Sequence, residues 1–384
     1  MFVDHAPAMG GAEHSLLLLL KHLDRTRFQP LLACNPGPLA EAARACGVAV
    51  YQVPMPRLRR EWAAPWRLAG GVRALACLIR RERVDLVQCN VMRASFYAAL
   101  AAQITGRPLV WHVRDILAPG AYVRWMARRS ALVIAVSRAA ARPLPKDALV
   151  EVVSNGVDVA AYARQPEAGR SLRRAWGVPE TCPLVGLVGR LEPWKGQADF
   201  MRAMALVSRF YPTARYALVG GTIFGGGDAY RNELEILARE LGLSECLVMA
   251  GQREDLPAVY SALDVLVHCS VEPEPFGRVM IEGMAAGLPL VAYDTGGASE
   301  IVLPGETGLL VPPRDTQALA KGVMALLADP AHARQLGKAG HRRAQQVYDV
   351  RALTRQIEVL LAAAACWQSL PHDEGGGASR AHRD

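Results

Sequence analysis

No apolar run in this chain approaches the roughly 20 positions that a membrane-spanning helix needs; Leu16–Leu20 is short and lies between His14 and Lys21. A secretory leader is not expected either, because Asp4 and the Pro7–Gly11 turn interrupt the start. The eight cysteines are scattered without a CxxC pair, mostly in apolar segments, and read as reduced core thiols of a cytoplasmic protein. The patterns GxxxxGK(S/T), HExxH and GxSxG are all missing, which excludes P-loop, zincin and α/β-hydrolase readings. The glycines of GGTIFGGG have the wrong spacing for a dinucleotide fingerprint, so a nicotinamide dehydrogenase is poorly supported. An acidic DxD triplet, the usual means of holding a sugar nucleotide through a divalent ion, is also absent.

What is present suits a folded chain of two domains: 384 residues, 51% of them apolar. The formal charge of +8 is uneven, with +12 in residues 1–150 and −4 in the remainder, and a basic first half suggests an anionic partner. Strand-like segments recur at Pro30–Cys34, Val48–Val53, Val84–Cys89, Leu109–Val113, Leu132–Val136 and Val150–Val153, with helical patterns between most of them. A second series starts near Leu184–Val188 and continues at Ala214–Val219, Leu247–Ala250, Val265–His268 and Leu288–Tyr293. Alternation of this kind predicts α/β architecture: two doubly wound parallel sheets in tandem, with ligands beyond the C-terminal strand ends and a cleft between the domains. The expected boundaries are 1–160 for the first domain and 161–349 for the second. Residues 350–368 form a last amphipathic helix, and 369–384 a disordered tail.

The stretch Ser270–Gly297 carries the densest chemistry. Glu274 and Glu282 stand eight positions apart, and Pro275 and Gly277 break any continuous helix between them. Glu274 is therefore expected on a loop at a helix N-terminus and Glu282 inside that helix. Free amides at such an end favour anions, and carboxylates accept from hydroxyls, so the pair suits a sugar nucleotide. A capping loop with a surface glutamate is the plainer alternative. Upstream, Arg190 and Lys195 bracket a turn after a strand, where a planar fork and a point charge could meet a diphosphate; solvated surface cations are the alternative. Gly251 to Asp255 follows another strand, and its backbone could meet a base edge. Gly10-Gly11 lies at a strand–helix junction where a backbone can approach a ligand, although an ordinary tight turn fits equally well. Asn90, His112 with Arg114 and Asp115, Ser137 with Arg138, and Asn155 fall at strand ends of the first domain.

Pro54 to Arg83 contains eight Arg and two Glu, with Trp62, Trp66, Ala69, Val72, Ala76 and Ile79 at helical spacing; Tyr122–Arg129 repeats the basic-aromatic mixture. Such helices suit an anionic bilayer, or simply cover a sheet with a solvated basic face. Nucleic acid is not expected, since no nucleic-acid module accompanies the basic residues. Thr222–Asp228 is expected to be a mobile glycine-rich loop at the cleft.

Taken together, GRLEPWKG, the EPFG–E pair and the TGG turn resemble the retaining GT-B glycosyltransferases of family 4, over nearly the whole chain. The resemblance implies two Rossmann-like domains facing a cleft, with the last helix crossing back onto the first. It implies that Arg190 and Lys195 bind the donor diphosphate, that Glu282 holds the ribose hydroxyls, and that Glu274 faces the donor sugar beside the amides of Phe276 and Gly277. His112 would lie near the reacting centre and Gly11 would approach donor and acceptor; Gly251 and Arg253 stay donor-binding candidates on their place after a strand. The expected donor is a UDP- or GDP-sugar and the expected acceptor a carbohydrate or lipid-linked hydroxyl in cell-surface polysaccharide or glycolipid synthesis. Neither metal nor cofactor is expected, and the basic first domain would allow peripheral contact with the inner face of the membrane. A sugar-nucleotide epimerase on the same fold and a non-catalytic nucleotide-sugar-binding module are the competing readings.

Overall fold

Short β-branched and leucine-rich runs, each closed by polar or glycine residues and followed by a helix, build two separate sheets. The structure, a computed structural model, describes residues 1–5, 8–57, 64–222 and 227–366. The expected tail, most of the expected glycine-rich loop and Trp62 therefore lie outside the described residues. The strands are β1 (Phe2–Val3), β2 (Leu31–Cys34), β3 (Ala49–Gln52), β4 (Val87–Cys89), β5 (Leu109–Val113), β6 (Leu132–Ala135) and β7 (Val150–Val152) in the first sheet. In the second they are β8 (Leu184–Val188), β9 (Arg215–Val219), β10 (Leu247–Gly251), β11 (Val265–His268), β12 (Leu290–Tyr293) and β13 (Leu309–Val311).

The order is β3-β2-β1-β4-β5-β6-β7 in one sheet and β10-β9-β8-β11-β12-β13 in the other. Pairing is parallel throughout, as in Val3↔Cys89 of β1 and β4 and Leu266↔Gly186 of β11 and β8. Each order reverses direction once, between β1 and β4 and between β8 and β11. In an open parallel sheet that reversal parts the connecting loops and leaves a crevice at the carboxyl ends. The loops after β1, β4, β8 and β11 hold Gly11, Asn90, Lys195 and Glu274, so both crevices are lined by residues with polar chemistry.

The last helix, Val350–Cys366, packs on the first domain. Leu353, Ile357 and Leu361 recur at i, i+4 and i+8, and their buried side chains join the core that holds Leu16, Leu19 and Leu20 of helix Gly11–His22. Burying each such side chain stabilises by about 1.5–3 kcal/mol, enough to hold the crossing helix in place. Its Glu358 is buried as well and accepts from the Asp24 amide at 2.7 Å. The crossing begins where Val157 bridges Asp349.

Helix Ala64–Arg81 departs from the expected pattern at one end. Val72, Ala76 and Ile79 are buried, but Ala69 is exposed and Trp66 is 76% exposed. The packed stripe therefore runs through Val72, Leu75, Ala76, Leu78 and Ile79, with half-buried Leu68 against its start, while Trp66 and Ala69 face solvent. No helix among the described residues is long and apolar enough to cross a membrane.

Candidate active site

Gly196 fixes the first wall of the site. Its φ of +79° is left-handed, and a Cβ there would lie 1.9 Å from the Cys269 carbonyl oxygen. Only glycine lets the turn after β8 press against the end of β11. This close approach brings Lys195 onto Glu274, and the two form an ion pair with each side chain only 13% exposed. His268 Nε2 stands 2.9 Å from the other carboxylate oxygen, and Ser270 Oγ donates to that oxygen at 2.9 Å. Burial opposes the charge on Glu274, but Lys195 and His268 outweigh it and hold the carboxyl well below the usual range.

Gly277 supplies the second constraint. It caps helix Arg278–Ala285 with φ +99°, and no side chain caps the helix. A Cβ here would meet Met280 Cε at 2.3 Å and approach His268 Nε2 at 3.6 Å. Phe276 is buried against Tyr348, edge to face at 6.0 Å, which anchors the loop from behind. One helical turn on, Glu282 is 4% exposed; Tyr260 Oη donates to Oε2 at 2.9 Å and Arg278 to Oε1 at 2.9 Å. The two carboxylates thus have separate partners. Glu274 answers to Lys195 and His268, Glu282 to Tyr260 and Arg278.

Arg190 pairs with Glu192 at 3.1 Å, and its carbonyl is fixed by Gln197 Nε2 at 2.6 Å. Gly251 lies beside the Gly220–Thr222 turn in a pocket of about 120 Å³, floored by Leu218 and Met249. Arg253 is partly exposed and bidentate to Asp255 at 2.8 and 2.6 Å. Among the described residues no group of three His, Cys, Asp or Glu could hold a metal ion.

Across the cleft, His112 is 2% exposed at the end of β5. Its Nδ1 faces Gln88 Nε2 at 3.3 Å and Arg114 Nη2 at 3.4 Å, and both are donors. Nδ1 must therefore accept, which puts the ring proton on Nε2. That nitrogen is buried without a partner among the described residues. Burial, with Arg114 adding to it, holds the ring well below its ordinary pKa, so His112 is neutral and offers one N–H. Arg114 is itself clamped by Asn90 and by Asn155 Oδ1 at 2.6 Å, and Asn90 Nδ2 donates to Asp4 Oδ2 at 2.9 Å across the β1–β4 crevice.

The domains meet at these same residues. Arg278 Nη1 donates to the Gly11 carbonyl at 3.2 Å. Ser137 Oγ donates to the Pro275 carbonyl, and the Arg138 and Ala139 amides both donate to Glu300 at 2.9 Å. His268, Ser270, Tyr260, Arg278 and Glu300 were not singled out from sequence. His268 carried the same signal as the strand-end residues that were, a polar side chain closing an apolar strand; the others become visible only once strand order is known.

The sequence profile of "Glycosyltransferase Family 4" matches residues 9–161 and that of "Glycosyl transferases group 1" matches residues 170–343. A GDP-mannose-dependent alpha-(1-6)-phosphatidylinositol monomannoside mannosyltransferase of Mycolicibacterium smegmatis is 34% identical over 56% of this chain and 56% of its own length. A D-inositol 3-phosphate glycosyltransferase of Corynebacterium urealyticum is 37% identical over 47% of this chain and 44% of its own, so the chain spans about half the length of these curated relatives. In contrast, the crystal structure of Anabaena HepE in complex with UDP-glucose superposes with a TM-score of 0.84 at 30% identity, covering 94% of this chain and 98% of that one. With both profiles matched in order and both sheets in place, the chain belongs to the GT-B glycosyltransferases of family 4.

Proposed function

We propose that the protein is a retaining glycosyltransferase that moves a sugar from a nucleoside diphosphate sugar to an acceptor hydroxyl without a metal ion. The observation that carries the reading is the buried Lys195–Glu274 pair at the β8–β11 crevice, beside the uncapped helix end at Gly277. A nucleotide sugar offers each member a new partner: phosphate oxygens for Lys195 and sugar hydroxyls for Glu274. Arg190 adds a second cation, and the Phe276 and Gly277 amides stand beside the donor sugar. Glu282, held by Tyr260, retains lone pairs for the ribose diol. Gly251 and Arg253 supply backbone to the base beside the pocket at Gly220–Thr222. The complex of HepE with UDP-glucose supports a UDP-sugar, and the mannosyltransferase's name supports GDP-mannose as the other candidate.

In the reaction the bond from the anomeric carbon to the diphosphate oxygen breaks and one to the acceptor oxygen forms on the same face. The acceptor proton passes to the departing diphosphate. Negative charge grows on the leaving group, where Arg190, Lys195 and the helix N-terminus stabilise it. Glu282 is committed to ribose, so the carboxylates do not act as the acid and nucleophile of a glycosidase. The His112 Nε2–H points a neutral donor at the reacting centre from the first domain, and Gly11 brings backbone to it. Contact between the domains at Gly11–Arg278 and Ser137–Pro275 excludes water from the donor.

A carbohydrate or lipid-linked acceptor of cell-surface synthesis fits the relatives and the basic first domain. Exposed Trp66, together with the Arg residues of helices Ala64–Arg81 and Ala121–Arg129, supports peripheral contact with an anionic membrane. Sedimentation with anionic vesicles at low salt tests that contact, and absence of binding there rejects it. A panel of UDP-, GDP- and ADP-sugars identifies the donor. Glu282→Ala is expected to weaken binding of the free nucleotide, whereas Glu274→Ala spares nucleotide and slows transfer. Transfer that survives Arg190→Ala and Lys195→Ala would sink the donor-site assignment, as would loss of transfer in EDTA for metal independence.

A further inference from the structure

The chain leaving β3 does not turn directly into its helix. Asn35 holds it over the sheet end, donating through Nδ2 to the His5 carbonyl at 2.9 Å while Oδ1 accepts from the Met55 amide at 3.4 Å. Tyr97 Oη then donates to the Pro56 carbonyl at 3.0 Å. Tyr97 lies on helix Met92–Thr105, one turn beyond Arg93 on the same face. Arg57 follows Pro56 directly, so the crossing chain delivers Arg57 beside Arg93 above the end of β1, where His5 stands.

The three residues are not accounted for by their surroundings. Neither guanidinium makes a hydrogen bond or an ion pair with any described residue. Like charges drawn together with no counter-ion among the described residues repel, and Arg93 is pulled below its ordinary pKa by burial and by Arg57. The His5 ring is pulled down to about 4 by burial, then by Arg93 and Arg57, so it is neutral. Its Nδ1 is buried and has no partner among the described residues. The helix that carries Arg93 has 14 residues, and Val91 at its N-cap offers no side chain to the first amides. Two forked cations, a helix N-terminus and an orphan ring nitrogen converge on the cleft end of the first sheet.

We propose that Arg57, Arg93 and His5 form an anion site that takes a phosphate group of the acceptor, at the edge of the acceptor side of the cleft. An oxyanion supplies the counter-charge that the described residues do not, gives each guanidinium an acceptor, and accepts from His5 once the ring is protonated. The site lies at the ends of β1 and β4, and the Gly10-Gly11 turn and Asn90 belong to the same two connections. A phosphorylated acceptor anchored here would reach past Gly11 toward His112. That assignment deepens the glycosyltransferase reading by naming the acceptor's class, and rests on it. The anion site itself can be tested apart from transfer.

The test is a titration of the full chain with inorganic phosphate, followed by NMR of selectively labelled histidine rings. The protein has nine histidines, and His5→Gln identifies the signal of interest. Phosphate should shift the His5 resonance and raise its ring pKa, because a bound anion reverses the sign of the local field. Arg57→Met and Arg93→Met should each weaken that binding by about tenfold, the loss of one charge-assisted hydrogen bond. Lys195→Met should leave it unchanged, which separates this site from the donor side and from the fate of the transfer reaction. A His5 signal unmoved by phosphate, or phosphate binding in both arginine variants as tight as in the unmutated protein, overturns the proposal. Competition with galactose 1-phosphate and with dodecyl phosphate then distinguishes a soluble sugar phosphate from a lipid-borne one. Displacement by either supports an acceptor phosphate, and displacement by neither overturns it.

Discussion

Lys195→Met isolates the pair on which the donor side is built. Both side chains are 13% exposed, so solvent screens the pair little. Removing one member of a buried pair leaves an uncompensated charge and costs about 3–5 kcal/mol. His268 and Ser270 still contact Glu274 in the variant, at 2.9 Å each, which places the expectation at the lower end, about 3 kcal/mol. Adding Glu274→Gln removes the stranded charge and should restore about 2 kcal/mol, a coupling well above the error of a double-mutant cycle. Urea unfolding at neutral pH, followed by tryptophan fluorescence, measures both quantities; Trp194 stacks against Lys195 at 4.1 Å and reports locally. The pH dependence gives an independent check. Glu274 has a folded pKa below its unfolded value, so its stabilising contribution is present above about pH 4.3 and is lost as pH falls through the folded value. The gap between wild type and Lys195→Met should therefore narrow in acid. A single variant within about 0.5 kcal/mol of wild type, or a double variant as unstable as the sum of the singles, would refute the coupling.

Other outcomes follow from the same geometry. His112 has a folded pKa far below its unfolded value, so the unfolded chain binds the extra proton and stability falls as pH drops below about 6.5, by up to about 1.4 kcal/mol per pH unit; His112→Gln should flatten that slope in denaturant titrations from pH 7 to 5. Gly196→Ala forces a side chain into a left-handed turn and against the Cys269 carbonyl, and should cost well over 1 kcal/mol in urea unfolding while lowering nucleotide affinity. Tyr260→Phe removes one donor to buried Glu282 and should destabilise by about 1.5–3 kcal/mol, with a weaker effect on nucleotide binding than Glu282→Ala.

The strands were legible because burial on both faces demands continuous apolar runs; Leu184–Val188 and Val265–His268 have the expected bounds. β4 is shorter than the apolar run that suggested it, since Arg83 adopts φ +51° and the chain turns before Val87. Helix Thr316–Ala328 is capped by local chemistry, the Asp315 side chain accepting from the Ala318 amide at 2.8 Å. Side-chain partnerships were not readable in the same way. The spacing of Glu274 and Glu282 said nothing about which cation each would meet, because that depends on β8 lying beside β11. Trp66 had the helical spacing of a packed residue, yet it is exposed while Leu68 and Val72 of the same helix meet the core.

Ser137 bonds the carbonyl of Pro275, the residue joined directly to Glu274. A swing of the first domain away from the second must break that bond and tug on the backbone of the donor-sugar loop in the same stroke. Departure of the spent nucleotide and relaxation of the Glu274 loop would then share one barrier, and Ser137→Ala should alter turnover by changing how quickly the jaws part.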